Sequence, residues 1–297
     1  MIIAVLLVTA GCKKHINKEK DEISGEGGRT EKSDATCTPT MYSLVVDPGN
    51  TFSYMYKVSG SPGAGPVTQT PYFIGGTNQL ITCFGVPITF ASGITYDPDL
   101  DIFIGVTGDA SNFPNHILRF TDPNCVTVTP AVIGCAGLNL DLSDIERDPV
   151  SGNLYAINRH PAMMFNNRIV RFDGNVVVCL PMSLPVAYHM RGLAFNCGGQ
   201  PSVMDVAGTG GTIRRINKMT GGQIAFGPYP GNIAPAGAAF PEMGLHWDCC
   251  IGRFITANYD PIGPIPIMTD GLPTFLGGPI YNVNAGVLRY TVDFARP

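Results

Sequence analysis

Tryptophan is almost missing. Trp247 is the only one in 297 residues, which excludes repeat architectures that place a Trp in every unit. Charge is scarce as well. Asp, Glu, Lys and Arg make up 14% of the chain, and six basic and six acidic residues of that total crowd into 13–35. The rest of the chain keeps 13 Lys and Arg against 17 Asp and Glu. That mild acidic excess lacks the basic face a nucleic-acid partner requires, so no nucleic acid is expected. The apolar run that opens the chain, MIIAVLLVTAG at 1–11, stops at Cys12. It is too short to span a bilayer as a helix, which takes about 20 residues. Catalytic fingerprints are absent too. No GxSxG elbow, P-loop or dinucleotide fingerprint follows a suitable strand, the five His show no HxH or HExxH spacing, and the cysteines show no CxxC pair. Gly-rich GTGGT at 208–212 reads as a hairpin turn.

A repeat is present. YSLVVDP at 42–48, SGITYDP at 92–98, SDIERDP at 143–149, RGLAFNC at 191–197 and MGLHWDC at 243–249 are five copies of one pattern. Their second residues, Ser43, Gly93, Asp144, Gly192 and Gly244, step by 50, 51, 48 and 52. The copy at Ser92 is the clearest. GITYD is followed by the turn Asp97-Pro98-Asp99, then by apolar, β-branched runs at 101–107, 116–121 and 125–133 with turn residues between them. Such spacing is the mark of an antiparallel meander. RIVRF at 168–172, TIRRI at 212–216 and GVLRY at 286–290 repeat the third strand. Four strands per unit in radial array predict an all-β fold, a β-propeller of five four-stranded blades, with six as the alternative. The last blade lacks a fourth strand, which residues 36–41 could supply. A Pro/Gly-rich stretch, 260–280, precedes its third strand.

On the apolar-x-apolar-Asp-Pro turns and the apolar-x-Arg-apolar strands, the chain resembles bacterial extracytoplasmic β-propellers with NHL- and YVTN-like repeats, over most of 41–297. Many of these are surface lipoproteins. Ala10 and Gly11 directly before Cys12 resemble the lipobox of such proteins, which implies lipidation at Cys12. The expected organisation is a signal at 1–11, a flexible tether at 12–35 and a propeller domain at 36–297. The tether has too few apolar residues to offset its ordering entropy. Eight cysteines remain beyond Cys12. An even number behind an export signal points to disulfides, whose pairing the sequence leaves open. Zinc is the competing reading. The resemblance and the signal together place the chain in the cell envelope, with the membrane touched only through the lipid anchor.

Inner strands of a propeller line its axis. The aligned copies therefore predict one ring of Ser43, Gly93, Asp144, Gly192 and Gly244, and a second of Val45, Thr95, Glu146, Ala194 and His246, two residues on. Small residues suit a crowded axis. Asp144, Glu146 and His246 are the exceptions and become the candidates for a ligand or metal site, a divalent cation such as calcium included. Arg191 and Arg147 flank them and could neutralise the carboxylates. Asp97, Asp99 and Asp101 alternate as in a calcium loop but lack its later Gly and Glu, so a plain turn is expected. The recurrent Asp97, Asp148 and Asp248 are expected to close turns. The function expected is a binding or interaction module for a protein or a glycan, using the long loops 108–115, 159–167 and 259–281 with Phe113, Met163, Met164, Phe165 and Phe275. The alternatives are a metal-assisted hydrolase or lyase at the axis, and a structural part of a surface assembly.

Overall fold

A computed structural model describes residues 40–47, 51–59, 68–71, 80–120, 126–159, 167–184, 190–205, 212–224, 244–249, 253–257, 267–270 and 290–297. The expected signal, tether and Cys12 lie outside these residues, as do Met163, Met164, Phe165 and Phe275. Among the described residues the regular elements are all strands. β1 (Thr40–Val46), β2 (Ser53–Ser59) and β3 (Thr68–Pro71) are followed by a small hairpin of β4 (Thr82–Cys83) and β5 (Val86–Pro87). A meander of β6 (Ala91–Asp97), β7 (Ile102–Thr107), β8 (His116–Phe120) and β9 (Val126–Pro130) comes next. The short β10 (Val132–Ile133) leads to β11 (Leu142–Arg147), β12 (Leu154–Asn158), β13 (Arg168–Asp173) and β14 (Val176–Cys179). Then follow β15 (Met190–Phe195), β16 (Pro201–Asp205) and β17 (Thr212–Arg215), and after them β18 (Leu245–Asp248), β19 (Arg253–Ala257) and β20 (Ile267–Asp270). The chain ends in β21 (Tyr290–Ala295).

Five sheets of three or more strands result among the described residues. In sheet order they are β21-β1-β2-β3, β6 to β9, β10-β14-β13-β12-β11, β15 to β17 and β18 to β20. Their first strands meet in cyclic order: β6 packs on β11, β11 on β15, β15 on β18, β18 on β21 and β21 on β6. Meanders arranged radially about a ring of inner strands make a β-propeller.

Burial on both faces explains the sequence of each sheet. In β7, Phe103 packs with Leu44 and Met55 of the first sheet, while its neighbour Ile104 packs with Leu142 and Ile145 of the third. Tyr155 and Ile157 meet Met190 and Leu193 across the next seam, and Ala194 and Met204 meet Leu245 and Phe254 across the one after. Period-2 alternation therefore sends successive side chains into two different apolar seams. The run PSVMD of β16 is buried at all five positions for this reason.

Two expectations about closure change. YSLVVDP at 42–48 is not an inner strand: β1 is second in its sheet, and β21 is first. The chain terminus thus closes the ring inside the first sheet, beside strands from the opposite end of the domain. Of residues 36–41, Thr40 and Met41 belong to β1 of the first sheet and not to the last, and 36–39 lie outside the described residues. The third strand of the fifth sheet is β20, which falls in the Pro/Gly-rich stretch 260–280, and Tyr290 of the expected GVLRY strand opens β21 instead. The expected fourth strand at 125–133 also divides. β9 stays in its own sheet, whereas Val132 and Ile133 cross to pair in parallel with Val176 and Val177 of the next.

A shared irregularity identifies the true inner strands. The register shifts between Ala91 and Gly93, between Leu142 and Asp144, and between Met190 and Gly192. In β21 the pairing skips Val292 just before Asp293. Each of these four strands therefore carries a bulge one residue before the ring position. A bulge bends its strand and re-aims the next side chain.

Candidate functional site

β21 corrects the two predicted rings. Ser43 and Val45 leave them, and Asp293 and Ala295 take their places. The first ring is then Gly93, Asp144, Gly192, Gly244 and Asp293, and the second is Thr95, Glu146, Ala194, His246 and Ala295. Glycine is required at three positions because the following inner strand presses against them. A Cβ on Gly93 would stand 2.6 Å from the Ile145 nitrogen, and one on Gly192 would stand 2.5 Å from that of Leu245. On Gly244 it would stand 2.0 Å from Asp293 Oδ1.

The space these glycines leave is filled by the side chains of two buried residues, Asp144 and Asp293. Asp144 Oδ1 accepts from Ile145 N at 2.7 Å, and its Oδ2 from Leu193 N of β15 at 2.6 Å. Asp293 Oδ2 accepts from Ile94 N of β6 at 2.7 Å. Burial pushes both carboxyls well above the usual carboxylate range. The nearby Glu146 raises both further, and the backbone N–H donors only partly offset this.

One ring outward, Glu146 and His246 come together as the sequence predicted. His246 Nδ1 lies 2.9 Å from Glu146 Oε1. Glu146 Oε2 accepts from the Thr95 hydroxyl at 2.7 Å and from Arg147 N at 3.1 Å. Three inner strands, β6, β11 and β18, thus meet at one carboxylate. The contact at Nδ1 orients the imidazole and leaves Nε2 as its remaining polar atom. The His246 side chain is 13% exposed and that of Glu146 is 8%.

Arg147 does not neutralise these carboxylates. Its guanidinium reaches Asp97, 3.5 Å away, and also bonds Asp99 in the β6–β7 turn. The alternating acids of that turn are all engaged: Asp97 Oδ1 accepts from Asp99 N at 3.0 Å, and Asp101 accepts from the Tyr96 hydroxyl. Asp148 caps the sister turn through Val150 N at 3.0 Å. Burial raises its carboxyl, but Ser151, Val150 N and Lys218 outweigh burial and hold it below the usual range. Arg191 is the bulged residue of β15, next to Gly192. Among the described residues no group of three His, Cys, Asp or Glu is placed to hold a metal ion.

Phe113 departs from expectation. Its loop is packed: Ser111 donates to Thr89 O at 2.5 Å, Asn112 Nδ2 donates to Pro87 O at 2.8 Å, and Phe113 rests on the core between the first two sheets. The missed residue is Asp293, which β21 places on the first ring with Asp144. The signal was the sequence VDFARP at 292–297, which matches the repeat but ends the chain.

No family model matches the chain, and no curated protein matches it. Among solved structures, the chain is similar to a candidate 6-phosphogluconolactonase from Bacteroides uniformis, with 11% identity and a TM-score of 0.45 over 86% of this chain and 83% of that one. It is similar to TolB from Acinetobacter baumannii, with 12% identity and a TM-score of 0.42 over 78% and 61%. An aldose sugar dehydrogenase from Streptomyces coelicolor, bound to PQQ, has 17% identity and a TM-score of 0.41 over 69% and 71%.

Proposed function

We propose that this chain is an extracytoplasmic binding module of the NHL/YVTN-like kind, lipid-anchored through Cys12, that engages a protein or a glycan through its turns. What supports this reading over metal-assisted hydrolysis is the use of the ring carboxylates. Asp144 and Asp293 accept backbone N–H groups from neighbouring inner strands, and Glu146 accepts from Thr95, Arg147 N and His246. Their oxygens are already used in holding neighbouring inner strands together.

Recognition then falls to the turns. Leu100 in the β6–β7 turn and Val150 in the β11–β12 turn are exposed. Met219 is exposed in a turn that Lys218 draws to Asp148, with Nζ and Oδ2 3.1 Å apart. Exposed Met182 joins the same turn through its N–H to Thr220 O at 2.7 Å. Apolar side chains held on a rigid scaffold suit partner recognition.

The test is a thermal-melt series on the full-length protein with calcium, other divalent cations, chelator and a sugar panel, followed by a photo-crosslinker at Val150 in intact cells. A ligand of the folded form raises Tm by mass action. The expected result is no response to metal or chelator, with either a sugar shift or a crosslinked protein. A calcium-dependent rise in Tm that Glu146→Gln removes would overturn the reading in favour of a metal centre.

A further inference from the structure

We propose that the Cys197–Cys249 disulfide is a thiol-exchange site with a fixed direction: an incoming thiolate bonds to Cys249, and Cys197 leaves. Cys197 stands in the β15–β16 turn and Cys249 directly after β18, and both are exposed. The indole Nε1–H of Trp247 donates to Cys197 Sγ at 3.3 Å. That indole is itself held edge-on by Phe254, with ring centroids 4.6 Å apart, and packs on the apolar seam of Ala194, Met204 and Leu245.

Exchange begins when a thiolate attacks one sulfur and expels the other. Negative charge gathers on the sulfur that leaves, and a donor aimed at that sulfur favours its charged form. Among the described residues the side-chain donor to this disulfide is Trp247, and it is aimed at Cys197. Cys197 is therefore the better leaving group, and Cys249 is the atom attacked. In the first step R–S⁻ forms an S–S bond to Cys249, the Cys197–Cys249 bond breaks, and its electron pair stays on Cys197 as a thiolate. In the second step another R–S⁻ attacks the R sulfur of that mixed disulfide, gives R–S–S–R and leaves Cys249 as a thiolate. The thiols are oxidised and the protein disulfide is reduced. The reductant class is a small monothiol of the glutathione kind.

Cys135–Cys179 is the internal comparison. Both cysteines are half-buried and pack against the core cluster that holds Leu142 and Val177, so access limits attack there. At the exposed bond the exchange has a neighbour of consequence. Gly199, in the turn that holds Cys197, lies against Val150, and a Cβ built on it would stand 2.9 Å from Val150 Cγ2. The step thus frees a turn beside one of the residues proposed for recognition.

The experiment uses the folded full-length protein. It is mixed with excess reduced glutathione, quenched in acid after increasing times, alkylated and mapped by peptide mass spectrometry. At early times glutathione should sit on Cys249 and the alkyl group on Cys197, with Cys135–Cys179 still closed. Trp247→Phe keeps an aromatic ring and removes the N–H, and it should slow the first step about 3–10-fold. If that variant does not fold, the map of the wild type decides alone. No adduct, glutathione mainly on Cys197, Cys135–Cys179 opening as fast as Cys197–Cys249, or a folded Trp247→Phe that exchanges at the wild-type rate would overturn the proposal.

Discussion

Gly244 sets the tightest constraint in the ring. The nearest atoms to a Cβ built there are Asp293 Oδ1 at 2.0 Å, its Cγ at 2.4 Å and its Cα at 2.6 Å. The last of these is backbone, so rotation of a side chain does not relieve the contact. We expect Gly244→Ala to destabilise the protein by about 1–3 kcal/mol or more, the cost of overpacking a core. Gly85 is the control, since nothing lies within 4 Å of its Cβ position although its φ is +81°. Alanine there costs only the strain of a left-handed backbone, about 1 kcal/mol. Urea midpoints of the two variants decide the matter, and equal losses would mean that the ring relaxes around an added methyl. The same crowding explains why Asp144 and Asp293 are tolerated where glycine is otherwise required. Each points inward to a partner, so its side chain does not collide with the next strand.

Between sheets, one device recurs in different chemistry. Arg147 of the third sheet reaches Asp97 of the second, Lys218 of the fourth reaches Asp148 of the third, and Arg296 of the first reaches Asp248 of the fifth. At the seam between the fourth and fifth sheets the turn residues are cysteines, and Cys197 is joined to Cys249. The Arg296–Asp248 pair closes the ring, at 2.6 Å, with Asp248 wholly buried and Arg296 8% exposed. Removing the cation from a buried carboxylate is costly, so Arg296→Ala should lose about 3–5 kcal/mol. Lys218→Ala should lose less, about 1 kcal/mol, because its ammonium is one-third exposed and the buried Asp148 keeps Ser151 Oγ and Val150 N as donors. Denaturant midpoints that rank the two the other way would show that the terminal strand is held without its arginine. This level of organisation was partly legible in the sequence. The Asp-Pro turns and the strands from β6 to β8 could be read because each copy repeats both its alternation and its punctuation. The role of β21 could not, because inner and second strands share the same alternation. Their difference lies in which strand each meets across the ring, and that contact is non-local. Asp293 was missed for the same reason, although the placing of Glu146 and His246 on one ring could be read.

Compartment is a property of the whole molecule, and the disulfides bear on it most directly. Cys135 is joined to Cys179 within the third sheet, tying the chain near β10 to the end of β14, while Cys197–Cys249 joins the fourth and fifth sheets. The second bond closes a separation of 52 residues, and Cys197 and Cys249 are both exposed at the ends of their turns. An exposed disulfide persists only where the surroundings are oxidising. Loss of such a bond costs about 2–5 kcal/mol, which in a domain of this size is a fall in Tm of about 4–20 °C. Full-length protein recovered from its native cells with rapid acid trapping and alkylation should therefore show Cys197 and Cys249 blocked, and the proposed anchor adds that it should sediment with membranes. On the proposed lipid anchor, Cys12→Ser should release the protein from the membrane without unblocking either cysteine, since anchor and disulfide would depend on the same export but not on each other. Free Cys197 and Cys249 in the trapped wild type would mean that the chain folds in a reducing compartment, and the extracytoplasmic assignment would fall. Blocked cysteines with unchanged sedimentation of Cys12→Ser would keep that assignment and discard the lipid anchor alone.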